Sequence, residues 1–231
     1  NLVGVLLKAE EASFLVGYIA GKMTETGKVG FVGGMDFPVI HGFHYGFMAG
    51  VKHANPDVEV LVQYAGDFND AAIGKAIAIG LQNQGYRVVV NFASNMEAAQ
   101  QFTQETGIKA FSWNVADFFA CEQGVKQIEA ELGQHVEILV NNAGITRDKF
   151  LHRMDPGSWK EVIDTNLTSV FNMCAAVINQ MRDHKFGRII NISSINANGQ
   201  AGQTNYAAAK AGLLGFTKAL ALESAPKNIT V

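Results

Sequence analysis

The chain has 231 residues, 48% of them hydrophobic and 17% charged, enough apolar material to bury a sizeable core in one large domain or two small ones. Its formal net charge of −3, with Lys and Arg scattered rather than clustered, excludes the basic stripe that nucleic-acid binding needs. The apolar run at 11–20 is too short to span a bilayer, is flanked by Glu10, Glu11 and Lys22, and follows no leader pattern, so no membrane partner and a cytoplasmic location are expected.

In chain order, β-rich apolar runs predict strands at 29–32, 58–64, 87–92, 108–113, 136–141 and 188–192, with segments of helical period between them. Alternation of this kind predicts an α/β fold, a three-layer α-β-α sandwich around a mainly parallel, doubly wound sheet. Helix 37–54 carries Pro38 near its start and then Gly42, Gly46 and Gly50 at four-residue spacing. Such a face, bare of side chains, is expected to let the helix lie close to the sheet, and Gly17 and Gly21 to act in the same way. His41 and His44 are three apart on that helix without a third ligand, so packing is expected there and no metal site. Cys121 and Cys174 fall in different predicted helices with no ligand spacing nearby and are expected to be buried, reduced thiols. No repeat, low-complexity tract or Pro/Ser-rich linker interrupts the chain.

The residues that carry chemistry cluster late. Tyr206 and Lys210 are four apart, which on a helix stacks them on one face. A phenol can deliver a proton near neutrality only if its pKa falls from about 10, and a nearby ammonium does this by stabilising the phenolate. Ser194, or its neighbour Ser193, follows strand 188–192, at the end where open parallel sheets place ligands, and could hydrogen-bond a carbonyl oxygen.

Together, Asn141-Asn142-Ala143-Gly144, Asn166, Ser193-Ser194 and Tyr206-x-x-x-Lys210 resemble the active-site set of the short-chain dehydrogenase/reductase family. From about residue 73 onward the chain is similar to acetoacetyl-CoA or 3-oxoacyl reductases of that family, continuously through Leu139-Val-Asn-Asn-Ala-Gly-Ile-Thr-Arg-Asp and Gly202-Gln-Thr-Asn-Tyr-Ala-Ala-Ala-Lys-Ala-Gly. The resemblance implies a Rossmann-like sheet, Tyr206 as acid, Lys210 as its tuner, a serine on the carbonyl, and Asn166 holding a water for proton relay. It also implies that Asn142, Ala143 and Gly144 pass under the adenosine ribose and that Asn114 and Val115 lie beside adenine. Ser194 precedes Tyr206 by 12 residues, one fewer than is common in the family, which leaves the choice between Ser193 and Ser194 open. After Val88-Val-Val the chain reads Asn91-Phe-Ala-Ser-Asn95 with no acidic residue for a ribose 2′-hydroxyl, which points to NADP, although no Arg stands there to meet the extra phosphate.

The beginning resembles something else. Lys28-Val-Gly-Phe-Val-Gly-Gly-Met-Asp-Phe-Pro-Val-Ile-His-Gly-Phe and Tyr64-Ala-Gly-Asp-Phe-Asn-Asp-Ala-Ala are similar to the basic membrane lipoprotein group of type I periplasmic binding proteins, which includes purine nucleoside receptors. That likeness places Asp36 and Phe37 in a nucleoside cleft. With a single lobe, only weak nucleoside binding is expected.

The two resemblances meet between Ala71 and Gln82, where Gly-Lys-Ala-x-Ala suits both. The chain is therefore read as one engineered or recombined chimeric α/β domain over 1–231, receptor-derived over 1–72 and reductase-derived, truncated at both ends, over 73–231. Where a reductase would carry its glycine turn the sequence has Asp67, Phe68, Asp70 and Ala72. Bulk and negative charge at a helix start oppose a diphosphate, so weak or no NADP binding and no efficient activity are expected. The first segment also brings one strand more than the reductase has lost, and an extra strand needs an edge, so homodimerisation or strand exchange is expected.

Overall fold

The computed structural model describes residues 9–24, 27–33, 38–64 and 70–231. The order is α1 (Ala9–Met23), β1 (Lys28–Gly33), α2 (Pro38–Ala54), β2 (Glu59–Tyr64), α3 (Asp70–Asn83), β3 (Val89–Phe92), α4 (Met96–Thr106), β4 (Lys109–Ser112), α5 (Phe118–Leu132), β5 (Ile138–Asn141), α6 (Pro156–Ile163), α7 (Ser169–His184), β6 (Gly187–Asn191), α8 (Thr204–Ser224) and β7 (Ile229–Thr230). Every strand pairing is parallel, and the fold is the Rossmann-like α/β sandwich that the alternating pattern predicts. The ladders among the described residues fall into three sheets, β1-β2, β3-β4 and β5-β6-β7, rather than one continuous sheet.

The chain divides into two compact units, 1–86 and 87–231. The division lies beyond the 71–82 window in which the sequence places its seam.

In the first unit, β1 and β2 run in register from Lys28 opposite Glu59 to Gly33 opposite Tyr64, and Lys28 Nζ meets the Glu59 carboxylate at 2.9 Å. Phe47, Val51 and Val58 form its core with Val29, Phe31 and Val60 packed on it. The glycines correct an expectation. A Cβ on Gly50 would lie 1.9 Å from the Phe14 carbonyl oxygen, one on Gly46 2.2 Å from that of Glu10, and one on Gly17 2.0 Å from that of Phe47. The bare faces therefore seat α1 and α2 against each other, backbone to backbone, and not a helix against the sheet. Gly42 takes little part, since its Cβ would meet only Glu10 Oε2, at 3.9 Å. His44 stacks on Phe31, with ring centres 5.3 Å apart, and His41 tilts against Tyr45.

In the second unit one core gathers Val125, Leu139, Val170, Cys174, Val177, Met181, Ile189, Leu213 and Ile229 between β5, β6, β7 and helices α5, α7 and α8. A second centres on Trp113, Cys121 and Ile128, and Val136 and Met173 pack on both. Gly124 exists for this second core, since a Cβ there would sit 2.5 Å from the Trp113 ring. Among the described residues no helix is long and apolar enough to cross a membrane, and no group of three His, Cys, Asp or Glu stands together.

Candidate active site

All the predicted reductase residues lie in the second unit, around the carboxyl ends of its parallel strands. β6 ends at Asn191 and the chain continues through Ile192, Ser193 and Ser194 into a 3₁₀ turn, Ile195–Asn198, that Ser194 caps by accepting from Asn196 N at 3.2 Å. Gly199 and Gly202, at φ +111° and +82°, then turn the chain back into α8. Lys149 N donates to Gly202 O at 2.8 Å, tying this turn to the segment that follows β5.

On α8, Lys210 is only 2% exposed. A buried ammonium is costly unless hydrogen bonds and neighbouring charge compensate it. Its Nζ donates to Ile192 O at 2.8 Å and stands 5.6 Å from the centre of the Tyr206 ring, as their four-residue spacing requires. Ser193 Oγ donates to the Lys210 carbonyl at 3.0 Å. The structure thus brings Tyr206, Lys210 and both serines to the mouth of β6.

Asn166 sits in a π-helical turn, Asp164–Thr168, between α6 and α7, and is fully buried. Its Nδ2 donates to Ile145 O at 2.9 Å and Val162 O at 2.8 Å, and its Oδ1 accepts from Ile145 N at 3.1 Å. The side chain that resemblance assigns to a water thus clamps the backbone leaving β5. The same turn abuts α8, where a Cβ on Gly212 would lie 3.0 Å from Leu167.

Asn142, Ala143 and Gly144 leave β5 at its carboxyl end, with Ala143 exposed and its neighbours half-buried. At the end of β4, Asn114 Oδ1 accepts from Ala116 N at 3.0 Å, and the Val115 carbonyl accepts from Asn172 Nδ2 at 2.9 Å and from the Cys121 thiol at 3.3 Å. The turn after β4 is thereby tied to α5 and α7. Asp67 and Phe68, expected to obstruct the diphosphate, lie outside the described residues, as do Asp36 and Phe37, expected in a nucleoside cleft, and the side chains of Asp70 and Ala72.

Several polar residues outside the motif join this region, and Asn141 of the motif pairs with one of them. Asn141 and Asn191 face each other in register, Asn141 Nδ2 donating to Asn191 Oδ1 at 2.9 Å, and Asn191 Nδ2 donates onward to Thr217 Oγ1 of α8 at 2.8 Å. The run at 136–141 ends on Asn141, but the run at 188–192 continues past Asn191, so only the fold reveals the pair. Asn205, next to Tyr206, is another, buried and bonded to two other segments. Asp155 caps α6 through Ser158 N at 2.8 Å and pairs with Lys149 at 2.7 Å. The Lys149 ammonium first, then the Ser158 amide and hydroxyl, hold the Asp155 carboxyl well below the usual carboxylate range. Burial drives the two thiols the other way, Cys121 up to about 11 and Cys174 up to about 12.

A phenol and a buried ammonium thus share one helix, beside a serine pair at the carboxyl end of a parallel strand, in a Rossmann-like α/β fold. The chain belongs to the short-chain dehydrogenase family, which matches residues 69–231, and over residues 1–117 to the family of ABC transporter substrate-binding proteins described as PnrA-like. Among curated proteins it is 61% identical over 160 residues to an acetoacetyl-CoA reductase of Paracoccus denitrificans, covering 69% of this chain and 66% of that protein. With an acetoacetyl-CoA reductase of Shinella zoogloeoides it shares 55% over 160 residues, with the same coverage. With a 3-oxoacyl-[acyl-carrier-protein] reductase, FabG, of Staphylococcus aureus it shares 44% over 165 residues, covering 69% of this chain and 67% of that protein. The chain thus spans 66% of the length of the two acetoacetyl-CoA reductases. The two family matches overlap over 69–117, a stretch that includes the predicted seam.

Proposed function

We propose that the chain is a recombined hybrid whose second unit keeps the proton-delivery set of an NADP-dependent 3-oxoacyl thioester reductase but, lacking the glycine turn, turns over slowly. The observation that carries the first half is the buried Lys210 ammonium beside the Tyr206 ring. A bound nicotinamide would supply the hydride that adds to the carbonyl carbon; the chain's own part is the proton. Tyr206 gives its hydroxyl proton to the developing alkoxide, and Lys210 stabilises the phenolate left behind. Ser193 spends its hydroxyl proton on the Lys210 carbonyl, whereas Ser194 uses its oxygen only as a cap acceptor, so Ser194 is the serine with a proton to offer the substrate oxygen.

The residues present fit the cofactor in part. The strand ends at Asn114, Val115 and Asn142–Gly144 fit an adenosine, and Lys210 fits the nicotinamide side. The sequence Asp67-Phe-Asn-Asp does not fit a diphosphate. Each lost charge-assisted phosphate contact removes about 1.5 to 3 kcal/mol, so several lower affinity by orders of magnitude.

The test is NADPH consumption with acetoacetyl-CoA. Slow turnover is expected, falling a further hundredfold or so in Tyr206→Phe and in Lys210→Met. Turnover that survives both substitutions would remove the assignment of roles, and turnover as fast as that of the full-length reductases would remove the deficit.

A further inference from the structure

Asn205 is a fully buried amide in the first turn of α8, immediately before Tyr206. Its Oδ1 accepts from Tyr206 N at 2.8 Å. That amide belongs to the first turn of a helix, where backbone donors have no partner within the helix, and the Gln203 side chain at the cap supplies none. Its Nδ2 donates to Arg147 O and to Ser158 O, both at 3.3 Å. One side chain therefore ties together the turn that carries the phenol, the segment leaving β5 and the first half of α6. The neighbouring links run in parallel: Lys149 N to Gly202 O, Gln203 Nε2 to Asp148 Oδ2 and Asn196 Nδ2 to Gln203 Oε1. Of these side-chain links, Gln203 to Asp148 is exposed and Asn196 to Gln203 only partly buried, whereas the Asn205 side chain is sealed from water, where a hydrogen bond has no solvent to replace it.

Lys210, one turn further on, is fixed independently by Ile192 at the end of β6. The distance between phenol and ammonium thus depends on two anchors: Ile192 for the ammonium and Asn205 for the turn bearing the phenol. We infer that Asn205 is a positioning residue for Tyr206, holding the first turn of α8 so that the phenol stays within the field of the Lys210 ammonium. This rests on the reductase reading of Tyr206 and Lys210 and extends it to a residue outside the motif.

The experiment is an alkaline titration of phenolate absorbance, taken as the difference between each protein and the same protein carrying Tyr206→Phe, which isolates one of the five tyrosines. In the unaltered chain Tyr206 should titrate below the ordinary phenol value of about 10, and Lys210→Met should raise it. Asn205→Ala, and Asn205→Ser as a milder change that keeps a short acceptor in the first turn, should each raise it by about one pH unit. Val177→Ala, which opens the core at a fully buried position, should lower the melting temperature without moving the titration. If either Asn205 variant melts lower yet titrates at the original midpoint, the residue is merely structural and the inference falls alone. If Tyr206 titrates near 10 from the outset and Lys210→Met leaves it there, the reductase reading falls and takes the inference with it.

Discussion

At the scale of single residues, the second unit relies on polar groups that each hold two segments at once. Asp155 is the clearest titratable case. Its carboxyl is held below the usual range by Lys149 and Ser158, so its folded pKa is depressed relative to an unfolded value of about 3.9. The sign follows: its contribution is complete above that unfolded value and is lost as pH falls through it toward the depressed one. The melting temperature should therefore drop on acidification from about pH 5 to about pH 2, and Asp155→Asn should flatten part of that drop while lowering stability at neutral pH. An unchanged slope in the variant would show that other carboxylates govern the acid limb. The residues of the motif, Tyr206, Lys210, Asn166 and the serine pair, were legible in the sequence because their chemistry fixes both type and spacing. Asn205, Asn191 and Thr217 were not, since their partners lie from 26 to 58 residues away and only the fold makes them neighbours. The clamp that Asn166 makes on Ile145 was hidden for the same reason, since the two are 21 residues apart.

At the scale of elements, the glycines of α1 and α2 show what a sequence pattern can and cannot convey. Four-residue spacing announces a bare helix face, but not which neighbour occupies it, and the occupant here is another helix. Gly50→Ala would push a methyl group into the Phe14 carbonyl, so it should destabilise the first unit by at least the 1 to 3 kcal/mol or so typical of overpacking. Gly80→Ala makes the contrast. It is an exposed position inside α3 with nothing within 4 Å of an added Cβ, and the substitution should stabilise by about 1 kcal/mol. Urea denaturation of the two variants checks both signs. Strand positions were legible from apolar runs, yet several begin a residue or two later than the runs do, since a residue counts as strand only where a partner pairs with it. β7, Ile229–Thr230, is too short to leave any periodic mark.

At the scale of the molecule, the chain holds separate cores in residues 1–86 and 87–231, and nothing in its composition announced the division. A β-α pattern continuous across the boundary conceals it, because both units repeat the same alternation. Each core has the makings of its own cooperative melt. Scanning calorimetry should resolve two transitions, with Gly50→Ala lowering one and Val177→Ala the other; a single transition moved by both would show that the halves melt together. The buried thiols add a consequence of their own. The two cysteines of the chain, Cys121 and Cys174, both belong to the second half, and burial keeps them protonated at neutral pH. Iodoacetamide can reach them only when that half opens, so the pace of alkylation is a built-in clock for the reductase-like half, to which the receptor-like half stays silent.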